Sequence, residues 1–204
     1  GPPSPNNIFS TSTLQTGDVV SVKGSSNTCL SNGINTFNFT VNPIPTINLV
    51  NNSLNDTLCQ GQTITFQASG ASTYQFFVDG VAQGAPSGSS SFTSATITNG
   101  QSITVQGSAA GCSSLSNANT IAVNPLPSVT LTSSDPDNII CSGDSISFTA
   151  NGANLYEFFI NGISQGLPGQ SHIFTSNSIS NGQLISAKGY SSFGCVANAN
   201  NTFS

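Results

Sequence analysis

The chain has 204 residues, and only 4% of them are charged, against about 25% in ordinary globular proteins. The chain has a net charge of -5 and two basic residues, Lys23 and Lys188. It therefore lacks the basic surface that binds nucleic acid or anionic lipid. No apolar run approaches the length that spans a bilayer, so we expect no membrane insertion.

Taken in order, the chain consists of about two and a half copies of one repeat. Residues 1–43 match the second half of a copy at an offset of 83 residues, and we predict them to be the C-terminal half of a truncated repeat. The matched pairs are Phe9 with Phe92, Gly17 with Gly100, Val22 with Val105 and Cys29 with Cys112. Such a half should leave an apolar face and a strand edge open.

Residues 44–125 form the complete repeat, here called copy one, and residues 126–204 form a nearly complete copy two. The two copies repeat their landmarks 82 residues apart, except that the last cysteine is displaced by 83. The landmarks are Cys59 and Cys141, Gly70 and Gly152, Tyr74 and Tyr156, and Cys112 and Cys195. The absence of an initiator methionine and of a visible signal peptide predicts a piece of a longer protein.

Short alternating runs between Gly, Pro, Asn and Ser clusters predict seven strands in copy one. They lie near 46–50, 62–68, 73–79, 81–84, 90–98, 101–107 and 117–123. This spacing favours an all-β protein of tandem immunoglobulin-like antiparallel β-sandwich domains arranged end to end. The alternation points Ile64, Phe66, Ala68, Ile103 and Val105 inward.

Each copy also carries an aromatic hairpin, from Tyr74 to Gly84 and from Tyr156 to Gly166, turned by an Asp-Gly or Asn-Gly pair. Phe77 and Phe159 alternate away from the tyrosine face. They are therefore a possible binding surface, and the alternative is that the return strand or a loop covers them.

Five cysteines recur, one per half repeat. We predict disulfides between Cys59 and Cys112 and between Cys141 and Cys195, which leaves Cys29 as an unpaired thiol. Free thiols and a metal site are the alternatives, but no CxxC pair exists and the single His172 is not repeated. Disulfides in domains this small indicate an oxidising, extracytoplasmic compartment.

The sequence favours no catalytic site. His172 lies in a loop with no carboxylate predicted to orient it, and Glu157 and Asp79 take outward positions. We expect no cofactor. The alternative is calcium near Asp135 and Asp137, although calcium prefers six to eight oxygen ligands.

The repeat motif reads Cys-x-Gly-x-x-Ile-x-Phe, then Gly-Ala-x-x-Tyr-x-Phe-Phe, Asn/Asp-Gly, Phe-Thr-Ser, Asn-Gly-Gln and Gly-Cys. It resembles the SprB-like tandem immunoglobulin-like repeats of Bacteroidetes cell-surface adhesins that act in gliding motility. The resemblance covers nearly the whole chain and is most specific from Cys59 to Tyr74 and from Cys141 to Tyr156.

This resemblance implies a type IX secretion cargo displayed outside the outer membrane, as part of a filament that adheres to surfaces. It offers no catalytic or ligand residues to transfer. The partners it implies are neighbouring repeats of the same chain, surface polysaccharide, and the gliding or secretion machinery. Two functions follow as hypotheses: a non-enzymatic structural spacer of the adhesin, or a repeat that itself binds glycan or a surface through exposed aromatic residues.

Overall fold

The computed structural model describes residues 8–27, 29–137 and 139–204, and it shows strands but no helix in them. The chain forms two compact units. One takes in Gly1–Leu49, Gln67–Ser90 and Thr104–Asn117, and the other takes in Val50–Phe66, Ser91–Ile103 and Ala118–Ser204. Neither unit coincides with a sequence copy, so the domain boundaries at 43 and 125 stay a prediction.

Within the described part of residues 1–43, which were predicted to be half of a repeat, β1 (Val19–Ser26) and β2 (Cys29–Asn38) form one antiparallel hairpin. Its apolar side chains are open to solvent: Val22 is 67% exposed, whereas Val105, the matching residue of copy one, is fully buried. A two-stranded hairpin alone is marginally stable. The predicted open apolar face is confirmed.

Copy one contains ten short strands. They are β3 (Asn48–Asn51), β4 (Thr57–Cys59), β5 (Ile64–Ser69), β6 (Thr73–Val78), β7 (Val81–Ala82), β8 (Ser91–Ser94), β9 (Ser102–Ala109), β10 (Cys112–Leu115), β11 (Asn119–Thr120) and β12 (Ala122–Asn124). One sheet has the order β3-β5-β8, and the other has the order β10-β9-β6-β7 with β11 also on β9. The parallel pair of β4 and β12 was not predicted.

Copy two repeats this plan, with seven strands in its described residues 126–137 and 139–204. They are β13 (Thr130–Ser133), β14 (Ile146–Asn151), β15 (Leu155–Ile160), β16 (Ile163–Ser164), β17 (Ile173–Ser176), β18 (Ile185–Tyr190) and β19 (Val196–Asn198). The sheet orders are β13-β14-β17 and β16-β15-β18-β19. One sheet thus holds the first, second and fifth strands of the copy, and the other holds the fourth, third, sixth and seventh. This order is that of an immunoglobulin-like antiparallel sandwich. The predicted fold class is confirmed.

Strand alternation places the core where the sequence indicates. The five residues predicted to point inward are all buried, and their counterparts in copy two are buried as well: Ile146, Phe148, Ala150, Ile185 and Ala187. Hydroxyl and amide side chains occupy the alternate positions, which is how a chain with so few charges keeps a polar outer face.

The Gly-Ala-x-x-Tyr motif fixes the turn before the third strand. In copy one the Tyr74 hydroxyl donates to the Ala71 carbonyl at 2.7 Å and accepts the Ala71 N–H at 2.9 Å. Gly70 has φ of 101°, and a Cβ atom there would lie 1.9 Å from the carbonyl oxygen of Thr46. Only glycine fits this close approach. Copy two repeats the tyrosine lock at Tyr156 and Ala153.

Candidate functional site

A disulfide joins the two sequence copies. It links Cys59 of copy one to Cys195 of copy two, with Cα atoms 5.5 Å apart and a sequence separation of 136 residues. The predicted pairs Cys59–Cys112 and Cys141–Cys195 are therefore wrong. Cys112 and Cys141 are thiols in this structure, and so is Cys29, the residue expected to lack a mate.

The strand directions of copy two explain the correction. Thr130, where the first strand begins, pairs with Asn151, where β14 ends. Tyr190, where β18 ends, pairs with Leu155, where β15 begins shortly after β14. These residues share one end of the sandwich, called here the entry end, where the chain enters the copy.

Cys195 follows the end of β18 and so belongs to the entry end, whereas Cys141 precedes β14 at the opposite, exit end. A six-residue strand such as β14 is about 20 Å long. A disulfide needs Cα atoms within about 7 Å. Two cysteines at opposite ends of one sandwich cannot meet, but the exit end of one copy can meet the entry end of the next.

The last strand of copy one, β12, lies next to Cys59. In the parallel pair of β4 and β12, Asn124 is in register with Cys59, and the Gln60 N–H donates to the Asn124 carbonyl at 2.8 Å. Cys195 is fully buried, and its Sγ lies 4.0 Å from the same carbonyl oxygen. The bridge therefore forms beside the linker that begins at Asn124.

A glycine turn holds each exit-end cysteine. Gly61 has φ of 81°, the Gln62 N–H donates to the Cys59 carbonyl at 3.0 Å, and the Cys59 N–H donates to Gln62 Oε1 at 2.9 Å. This is the β-turn that places glycine third, typical of type II. Cys141 makes the same two bonds with Asp144, at 3.0 and 3.1 Å.

The turn recurs without cysteine elsewhere in the chain. In each case the fourth residue returns its side-chain oxygen to the first N–H, and the third residue is a positive-φ glycine. The three further turns span 15–18, 98–101 and 180–183. The Cys-x-Gly and Asn-Gly-Gln motifs therefore share one structural cause.

Closing a loop of 136 residues contributes about 5 kcal/mol by restricting the entropy of the unfolded chain. Total stabilities of domains are about 5–15 kcal/mol. The bridge is thus a large term in the stability of the oxidised protein.

Phe77 and Phe159 are both half-buried. Phe77 pairs with Ala82 of its return strand, and Phe159 pairs with Ser164. The Lys188 ammonium also lies 4.8 Å from the centre of the Phe159 ring, a cation–π contact. Their role as a binding surface stays a prediction.

Glu157 is part of a small polar cluster on the same sheet. The Tyr190 hydroxyl donates to its Oε2 at 2.6 Å, and the Ser164 hydroxyl donates to Oε1 at 2.7 Å. These bonds, in that order, hold the pKa of Glu157 below its ordinary value, and the bond to Glu157 raises the pKa of Tyr190. Each group stabilises the other's resting protonation state.

The carboxylates considered for calcium accept local backbone N–H groups. Asp135 Oδ1 accepts the N–H of Asp137, and Asp137 Oδ1 accepts that of Ile139, both at 3.1 Å. Across 8–27, 29–137 and 139–204, no cluster of three or more His, Cys, Asp or Glu side chains could hold a metal ion. His172 is exposed, and its carbonyl accepts the N–H of Ala150.

Within the same described ranges, no helix has the length and apolar character needed to cross a membrane.

No protein-family model matches the chain, and no curated protein matches it. Among solved structures, the fibronectin(III)-like modules of Clostridium thermocellum CbhA share 11% identity over 78% of this chain and 90% of that chain, with a TM-score of 0.45. Three N-terminal domains of the bacteriophage RB49 Highly Immunogenic Outer Capsid protein share 14% identity over 76% of this chain and 58% of that one, with a TM-score of 0.37.

Murine CEACAM1b shares 8% identity over 76% of this chain and 97% of that chain, with a TM-score of 0.36. At these TM-scores the likenesses carry no inference about function. The assignment to an immunoglobulin-like sandwich rests on the strand order of the chain itself.

Proposed function

We propose that this chain is a non-enzymatic structural segment of a secreted adhesin filament of the SprB-like kind, displayed on the cell surface and acting in surface adhesion and gliding motility. Its repeats hold an adhesive region away from the cell. The copies are immunoglobulin-like sandwiches, and repetition of such a compact unit suits a module that spans distance.

The observation that supports this proposal most strongly is the bridge from Cys59 to Cys195. A pull applied to the two ends of the chain passes through this covalent bond, so the 136 residues of the closed loop cannot be drawn out. A filament that anchors a moving cell carries tension, and this disulfide prevents forced extension of the residues between Cys59 and Cys195. The bond also requires an oxidising compartment, in agreement with display outside the cytoplasm.

The partners proposed for the filament are neighbouring repeats, surface polysaccharide, and the gliding or secretion machinery. A chain with only 4% charged residues interacts weakly through electrostatics, so its contacts should change little with ionic strength. This property suits an extracellular spacer that must not adhere along its whole length.

Function is tested in cells that produce the full-length protein. An antibody to this chain should label intact, unpermeabilised cells, and deletion of the gene should abolish both adhesion to glass and gliding. Labelling only after permeabilisation, or normal gliding in the deletion strain, would contradict the proposal.

A glycan array separates the spacer from the binding-module alternative. The spacer predicts that the oxidised chain binds no glycan. Binding that is lost in Phe77→Ser but kept in the control Val81→Ser, a change at a 65% exposed position, would favour the alternative.

A further inference from the structure

We propose that Cys112 and Cys141 are the sites of two further disulfides, each to a cysteine of an adjoining copy, so that every junction of the array carries the bridge seen between Cys59 and Cys195. Cys112 would bond the exit-end cysteine of the copy before it. Cys141 would bond the entry-end cysteine of the copy after it. This inference rests on the proposed repeat array.

Cys112 occupies the place at its linker that Cys195 occupies in the bonded junction. Its Sγ lies 3.5 Å from the carbonyl oxygen of Asn42, and Cys195 Sγ lies 4.0 Å from that of Asn124. Asn42 and Asn124 are matching residues, and each precedes a proline. Asn42 also donates to the Ala110 carbonyl at 2.7 Å, which ties the linker to the turn before Cys112. The thiol is therefore already in the position where its counterpart is bonded.

Cys141 has the local structure of the bonded Cys59. Both begin the same glycine turn with the same pair of backbone and side-chain bonds. In copy one, the stretch ending at Cys59 pairs with β12. In copy two, the matching stretch 139–141 forms no strand, and it lines an exposed cleft of about 450 Å³ together with Gly182 and Phe203.

The occupant that this cleft fits is the last strand of a complete repeat followed by the entry end of the next copy. Copy one shows this arrangement, since β12 leads through Asn124 to the copy that supplies Cys195. By analogy with the bonded junction of Cys59 and Cys195, the partner of Cys141 is a further copy of the same repeat.

Each bond forms when two thiols lose two protons and two electrons to an oxidant. A small-molecule disulfide supplies this capacity in a test: glutathione disulfide accepts the electrons and leaves as two molecules of glutathione. One protein disulfide is gained for each glutathione disulfide consumed.

The first experiment uses the full chain in a Cys29→Ser background, which removes that exposed thiol. Cys59→Ser and Cys195→Ser variants are oxidised with glutathione disulfide, alkylated and mapped, with near-UV circular dichroism as the control for folding. We expect no Cys141–Cys195 bond in the first variant and no Cys59–Cys112 bond in the second, with these cysteines recovered alkylated or as mixed disulfides with glutathione. A bond within one copy in either folded variant would overturn the proposal.

The second experiment repeats residues 44–125 once more before residue 126. Oxidation should link Cys59 of the original copy to Cys112 of the inserted copy, and Cys59 of the inserted copy to Cys195. An unlinked Cys112 in the inserted copy, or a Cys59–Cys112 bond inside one copy, would overturn the inference. This readout is independent of adhesion, so its failure is distinguishable from failure of the proposed function.

Discussion

The disulfide between the copies should prevent most of the chain from being extended by force. The loop that it closes spans 136 residues, and an extended chain covers about 3.3–3.6 Å per residue, so reduction should release roughly 450–490 Å of contour length. Single-molecule force spectroscopy with handles at the two termini measures this length directly. The oxidised chain should stop extending earlier by that amount, and reductant should restore the full length.

Two variants make the measurement specific. Cys59→Ser should behave like the reduced protein with or without reductant, whereas Cys112→Ser should keep the oxidised behaviour, because Cys112 forms no bond in this chain. Equal extension of the oxidised and reduced wild-type chain would refute the reasoning. A released length of about 175–190 Å would instead indicate the intracopy pair 59–112, from its separation of 53 residues.

Three further predictions concern stability and ionisation. Gly70→Ala should destabilise the protein by about 2–5 kcal/mol in denaturant titrations, whereas Gly88→Ala should have little effect because a Cβ atom there meets open space. Tyr74→Phe should lower the free energy of unfolding by about 1–3 kcal/mol, since it removes both hydrogen bonds of a partly buried hydroxyl. An unchanged midpoint of denaturant unfolding would contradict a stabilising role for these bonds. The lowered pKa of Glu157 means that its contribution to stability is present above its unfolded pKa of about 4.3 and is lost as pH falls through the lower folded value. Tyr190→Phe should raise the pKa of Glu157 in a ¹³C NMR titration, and an unmoved curve would contradict this.

The strand pattern and the core followed from the sequence because alternation with a period of two is a local signal. Phe66 and Val105 are fully buried as their runs indicate. One strand that was missed, β4, is short and depends on a partner that is distant in sequence. β4 has three residues and exists as a strand because β12 lies beside it, so no local pattern marks it.

The disulfide pairing was predicted wrongly for a reason that lies in the topology. The sequence shows that Cys141 precedes the second strand and that Cys195 follows the sixth. The two strands run in the same direction, so the beginning of one and the end of the other lie at opposite ends of the sandwich. Combined with the end-to-end arrangement expected of the repeats, this rule alone would have assigned the bridge between copies.

Peptide mapping of the oxidised chain under non-reducing conditions tests the central claim most directly. A peptide containing Cys59 should be recovered linked to one containing Cys195, with Cys29, Cys112 and Cys141 recovered as alkylated thiols. Recovery of Cys59 linked to Cys112, or of Cys141 linked to Cys195, would contradict the account.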